Sequence, residues 1–146
     1  MAMSLRSTIL IGLAVLGLGF GIYEVLPGRR LAVKHAALLA WAQTGAPGDF
    51  PEVFAAVDYD DQWGHRASEV PERIRMARYA LSGFTIQEGP PSFDRDGRLA
   101  TVRQDLTIHG GEDVRSAAFT FRWERSSWKP WSWRLKSVTA PGFAVE

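Results

Sequence analysis

The chain has 146 residues, a formal net charge of +1 and 23% charged residues, and it contains no cysteine. That length allows one domain with one core beside an appended segment, and the balanced charge removes the electrostatic case for a nucleic-acid partner or an acidic tail. The compositional oddity is six Trp and eight Phe, gathered towards the end of the chain.

Ser7 to Tyr23, STILIGLAVLGLGFGIY, is the one long run without a charged residue. As a helix it covers roughly 26 Å, and Leu5, Val25 and Leu26 extend it towards the ~30 Å of a bilayer's hydrocarbon core. Arg6 and Glu24 then fall near the two interfaces, where long side chains reach water. The apolar residues favour insertion by roughly −3 to −5 kcal/mol in sum. The run predicts a transmembrane anchor over residues 1–28. A cleaved signal would have a shorter apolar stretch and a small-x-small site, which Tyr23-Glu24-Val25-Leu26-Pro27 does not supply.

Gly12, Gly17, Gly19 and Gly21 interrupt this run, and Gly17 with Gly21 has the spacing that lets two membrane helices approach closely. Gly12, Gly17 and Gly21 are therefore the expected packing face towards an integral membrane protein. Arg6 on one side and Arg29, Arg30 and Lys34 on the other leave the charge rule undecided. An uncleaved N-terminal signal usually leaves the chain outside the cytoplasm, so the expectation is a single pass through the inner membrane with a periplasmic domain.

About 115 residues remain. Pro27-Gly28 is expected to break the membrane helix, and Arg29 to Thr44 carries Leu31, Leu38, Leu39 and Ala42 at helical spacing, with Trp41 alongside and Gly45 as a stop. A second, short helix is expected from Asp49-Phe50-Pro51-Glu52, with Phe50, Val53, Phe54 and Val57 on its buried face. After Asp58-Tyr59-Asp60-Asp61-Gln62-Trp63-Gly64, Ser68 can cap a third helix presenting Val70, Ile74, Ala77 and Leu81, ended by Gly83.

From Phe84 the period changes to two. Strands are expected at Phe84–Gln87, Leu99–His109, Val114–Glu124 and Trp131–Thr139, with Asp94-Arg95-Asp96-Gly97 as a turn and Gly110-Gly111 as a hairpin. Ala100, Val102, Gln104, Leu106 and Ile108 share one face of the second strand. Ala117, Phe119, Phe121 and Trp123 share one face of the third. Helices followed by a meandering antiparallel sheet make an α+β order.

Three helices and four strands, with Asp49-Phe50 opening the second helix, Asp58-Tyr59-x-Asp61-x-x-Gly64 after it and Trp133-Arg134-Leu135-Lys136-Ser137-Val138 in the last strand, resemble the nuclear-transport-factor-two-like (SnoaL-like) superfamily. The resemblance spans about Arg29 to Val138. It implies a cone: three helices packed on a curved four-stranded antiparallel sheet over residues 29–139, with 140–146 as a tail. Members range from isomerases and dehydratases, which place an acid or an Asp–His pair inside the cone, to plain interaction domains, so no activity follows from it.

Gln104 is the one polar residue on an apolar strand face, expected to be satisfied locally. Asp58, Asp60 and Asp61 lack the register of a calcium loop and read as turn and cap residues, so no metal is expected. His35, His65 and His109 are isolated in sequence and build no zinc set. His65, beside the acidic run, is the first choice for a base. Phe119, Phe121, Trp123, Trp133 and Leu135 are expected to fill the cone, which argues against a roomy site.

Trp128-Lys129-Pro130-Trp131 at a hairpin tip, together with Phe143 in the tail, forms an expected docking surface for a protein or for the bilayer interface. The leading expectation is a non-catalytic accessory subunit, with no cofactor, that docks into a larger membrane complex such as a respiratory or photosynthetic one. The alternative is a tethered small-molecule-binding protein or enzyme using Gln104 and His65, with Phe119, Phe121, Trp123 and Trp133 as walls. A homodimer formed through the sheet, a habit of the resembled family, is the third.

Overall fold

The computed structural model describes residues 27–44, 50–80 and 83–143. The run Ser7–Tyr23, with Gly12, Gly17 and Gly21, lies outside them, as do Gly45, Asp49 and Leu81. Among the described residues no helix is long and apolar enough to cross a membrane.

Helix α1 covers residues 27–43. Its alanines favour a helix, and Leu31, His35, Leu38 and Leu39 fall on one stripe, all buried. The last turn is closed by the Thr44 hydroxyl, which donates to the Trp41 carbonyl at 2.8 Å. Pro27 and Gly28 are helical rather than a break. Proline's fixed φ suits a helix, and the bond it forfeits is its own N–H. Pro27 is fully buried, so the folded unit includes it.

The second expected helix is a correction. Only one π turn forms, Phe50–Phe54, and strand β1, Ala55–Asp61, follows at once. Phe50 and Phe54 are buried as expected, but Val53 faces out and Val57 is fully exposed. From Tyr59 onward the chain alternates, Tyr59 and Asp61 inward and Asp60 outward, which is a strand's period. Strand β1 pairs in parallel with β6, Trp133–Thr139, through Asp60↔Ser137 and Asp61↔Val138, with an irregularity before Asp60.

A 3-10 turn, Ala67–Glu69, leads into α2, Val70–Ala80. Ser68 does not cap it. Instead the Glu69 carboxylate accepts the Arg66 N–H at 3.0 Å, starting the turn earlier than expected. Gly83, at φ 91°, closes the exit by donating to the Arg78 carbonyl.

The remaining strands are β2 (Thr85–Glu88), β3 (Ser92–Asp96), β4 (Leu99–Gly110) and β5 (Asp113–Arg125). They make one six-stranded sheet in the order β1-β6-β5-β4-β2, with β3 on the same edge of β4 as β2. Six strands replace the expected four, and the β1–β6 pair is parallel. Strand β3 is the expected Asp94-Arg95-Asp96 turn. An edge strand leaves such charges in water, so their low strand propensity costs little. The turn proper shrinks to Gly97-Arg98, with Gly97 at φ 61°. The last strand begins at Trp133 rather than Trp131.

The inward faces of β4 and β5 are those the alternation predicts: Ala100, Val102, Gln104 and Leu106 opposite Trp123, Phe121 and Phe119. The curved sheet wraps α1 lengthwise. One end of α1 meets Trp123 and Trp133; the other meets Tyr59, α2 and the β4–β5 hairpin. The segment expected as a tail is folded as far as Phe143, through a turn in which the Phe143 N–H donates to the Ala140 carbonyl.

Candidate functional site: an apolar cavity with an Asp61–His65 edge

A cavity of about 320 Å3 lies between the C-terminal half of α1, α2 and the sheet. Leu38, Leu39 and Ala42 of α1, Ile74 and Ala77 of α2, and Phe119, Phe121, Leu106 and Ile108 of the sheet line it. The expectation of a filled interior is thus corrected. Trp123 and Trp133 pack at the opposite end, and the side chains facing the cavity include two alanines, which leave room. The exposed side chains at its edge are Arg73, Asp113 and Arg115, which mark the mouth.

The polar edge is built by the end of β1. Strand alternation turns Tyr59 and Asp61 inward together. The Tyr59 hydroxyl donates to Asp61 Oδ2 at 3.0 Å, and Asp61 Oδ1 accepts the backbone N–H groups of Trp63 at 2.9 Å and His65 at 3.0 Å. Those bonds wind residues 61–65 around the carboxylate, with Gly64 at φ 75° allowing the reversal. The same winding brings His65 Nδ1 to 3.4 Å from Asp61 Oδ2. The Asp61 side chain is 2% exposed and the His65 side chain 16%, so the imidazole is the member that borders open space. Burial first, and the neighbouring Asp61 second, push the Tyr59 phenol well above its ordinary value, so it remains a proton donor.

The C-terminal segment is strapped across this edge. Gln62 binds Ala140 twice, its side-chain amide donating to the carbonyl at 2.8 Å and its side-chain oxygen accepting the N–H at 2.6 Å. Trp63 Nε1 donates to the Phe143 carbonyl at 2.9 Å. Phe143 therefore packs against Trp63 and Phe119 and lines the cavity, rather than projecting as part of an outer docking surface.

Of the expected pocket residues, His65, Phe119 and Phe121 meet at the cavity, while Gln104, Trp123 and Trp133 do not line it. Gln104 joins His35 instead. Its amide donates to the Gly89 carbonyl at 2.7 Å, which leaves its oxygen as an acceptor 2.7 Å from His35 Nε2. His35 therefore carries its proton on Nε2 in the neutral ring, and Nδ1 has no hydrogen-bond partner among the described residues. Burial lowers the His35 pKa, with the Gln104 bond and the Glu88 charge opposing in part. This pair ties α1 to β4 and to the β2–β3 connection. It is a structural bond across the core.

The three carboxylates of the acidic run diverge. Asp58 pairs with Lys136 at 2.8 Å, a bond that holds its carboxyl below the ordinary value; Asp60 faces solvent and Asp61 faces inward. His109 lies on the exposed side of β4, 3.2 Å from the Gln87 side chain. Tyr59 is the cavity residue that sequence reasoning passed over. Its signal was the alternation Tyr59-x-Asp61, together with the Asp-x-x-x-His spacing to His65.

No protein-family model matches the sequence, and no curated protein gives a significant match. Solved structures do resemble the fold. An NTF2-like protein with a cystatin-like fold from Novosphingobium aromaticivorans aligns at TM-score 0.63 and 18% identity, over 87% of this chain and 90% of that one. The Kfla4162 protein from Kribbella flavida aligns at TM-score 0.63 and 14% identity, over 77% and 87%. A nuclear transport factor 2 (NTF2-like) superfamily protein from Salmonella enterica aligns at TM-score 0.59 and 14% identity, over 83% and 93%. At these identities the likeness concerns the fold, which is NTF2-like.

Proposed function

On this NTF2-like fold, we propose that the chain is a tethered binding protein whose cone takes up a small, mainly apolar molecule with one polar group directed at His65. The observation that carries this is the cavity of about 320 Å3, at the lower end of the range for small-molecule sites, with polar groups gathered on one edge. Apolar walls would hold the body of the ligand. With Nδ1 turned to Asp61, the nitrogen left to hydrogen-bond the ligand's polar group is His65 Nε2. Attachment to the membrane through Ser7–Tyr23 is part of this proposal and rests on the sequence. The accessory-subunit reading expected from the sequence leans on the glycine face of Ser7–Tyr23, on Trp128 and Trp131, and on the tail; the position of the two indoles favours a different occupant.

The test is a thermal-shift screen of the full chain against small apolar molecules carrying a hydroxyl, carbonyl or carboxyl group. A genuine ligand stabilises wild type and loses its effect in Ala77→Trp, which fills the cavity. It binds up to about tenfold more weakly in His65→Ala, the worth of one hydrogen bond. Ligands that shift wild type and Ala77→Trp equally would rule the cavity out.

A further inference from the structure

We propose that the end of the cone carrying the β5–β6 loop rests on the bilayer, seating Trp128 and Trp131 among anionic headgroups, so that the ligand cavity opens on the far side, into water. The inference rests on membrane attachment through Ser7–Tyr23 and adds how the domain is oriented on that anchor.

Residues 126–132 form a compact loop. Ser126 N–H donates to the Ser132 carbonyl at 2.9 Å, and the Ser132 hydroxyl donates to the Lys129 carbonyl at 2.7 Å. Pro130 is buried within it, yet Trp128 is 71% exposed and Trp131 54%, with Lys129 Nζ 6.0 Å from the centre of the Trp131 ring. A rigid loop that holds two indoles outward beside a cation suits the headgroup layer, where Trp concentrates and basic side chains meet phosphates.

The place where the chain enters the fold identifies this occupant. Trp133 Nε1, one residue beyond the loop, donates to the Pro27 carbonyl at 2.9 Å in the buried core. The first described turn of α1 is thereby fixed at the base of the loop. The uncharged apolar run Ser7–Tyr23 ends only four residues before Pro27, so whatever it inserts into lies beside this end. Arg29 and Arg30 are exposed on that same turn, and Arg98 donates to the Arg125 carbonyl at 3.0 Å, at the other side of the loop's base. Among the described residues Asp96 and Glu52 are the acids at this end, and Glu124 is engaged by Lys136 at 3.1 Å, while Glu24 stands three positions before Pro27 in the sequence. The balance is positive and complements an anionic surface.

The cavity lies at the opposite end of the same strands. Its mouth is set by Asp113 and Arg115 at the start of β5, whereas the loop follows Arg125 at the finish. At about 3.3 Å per residue the two are separated by up to ~40 Å of strand. A ligand would therefore arrive from the aqueous phase and not from the lipid.

Because the chain has no cysteine, single nitroxide labels can be placed cleanly. The full chain, as Lys129→Cys, Ser126→Cys or Glu112→Cys, is reconstituted into phosphatidylglycerol–phosphatidylcholine vesicles and washed with alkaline carbonate. The expected result is retention of the chain. The labels at 126 and 129 should be reached by lipid-soluble oxygen and shielded from a water-soluble nickel chelate, and the label at 112 should show the reverse. Release by carbonate would overturn the anchor itself. Retention with all three labels open to nickel would overturn the seating alone. Labels at 126 and 129 that are open to nickel in vesicles but shielded in native membranes would assign the loop to a protein partner and overturn the lipid reading.

Discussion

The two ends of the cone are built from the same helix and the same strands, yet one is packed and the other hollow. At the packed end Leu31 is buried, His35 of α1 packs edge-on against Trp123, and Trp133 is 0% exposed and tied to the Pro27 carbonyl. Phe121, which touches His35 and also lines the cavity, stands between the two ends. At the hollow end Leu38, Leu39 and Ala42 face Phe119, Ala77 and Ile74 across a cavity. Side-chain size along one strand face decides the difference: β5 places its largest residue, Trp123, towards the packed end and Phe119 towards the open one. Dense packing is thus concentrated beside Pro27. Open volume and the Asp61–His65 edge are left at the other end.

The largest expected effect tests this contrast directly. Trp133→Ala should cost about 3–5 kcal/mol, since it leaves a large void and strips the Pro27 carbonyl of its donor. Phe119→Ala should cost clearly less, because that ring already borders empty space. Urea unfolding of the full chain in nanodiscs measures both. Equal losses would mean that the ends are equally packed in solution.

A smaller effect is expected at the bond that joins α1 to the sheet. Gln104→Leu should destabilise by about 2 kcal/mol, as it leaves His35 Nε2–H and the Gly89 carbonyl without partners. His35→Phe made in the same chain should recover part of that loss, giving a coupling above 0.5 kcal/mol in a double-mutant cycle. Simple additivity would show that the two side chains do not meet.

The smallest effect is a pH dependence confined to the packed end. His35 titrates near 6.5 in the unfolded chain and lower in the folded one, because burial disfavours the charged ring. Between those two values the unfolded chain binds the extra proton. Stability therefore falls as pH drops below about 6.5 and levels off beneath the folded pKa. His35→Phe should flatten this slope in unfolding midpoints taken between pH 7.5 and pH 5, and a slope that persists would have to come from other groups.

Much of the inward-facing surface at both ends was legible in the sequence. Leu31, Leu38 and Leu39 stand at helical spacing, and the alternation through Ala100-x-Val102-x-Gln104 and Phe119-x-Phe121-x-Trp123 states which side chains turn inward. The polar edge of the hollow end was not legible. It depends on β1, whose sequence begins with Ala55 and Ala56 and is otherwise rich in Asp. No local signal announces a parallel pairing with a strand some eighty residues later. His65 stood out as the histidine nearest to carboxylates, but that its partner would be Asp61 was decided by the winding of residues 61–65.

Period and spacing alone determined the α+β class, the inward faces of β4 and β5 and the apolar run that precedes the fold, because each depends on neighbours within a few residues. The expected order of helices before strands failed at β1, which precedes α2. Tertiary structure decided the two added strands, the His35–Gln104 bond and the strapping of Phe143 by Gln62 and Trp63. It also decided where volume was left over. A cavity is the difference between the space that a backbone encloses and the side chains that reach into it, and only the closed fold sets the first of these.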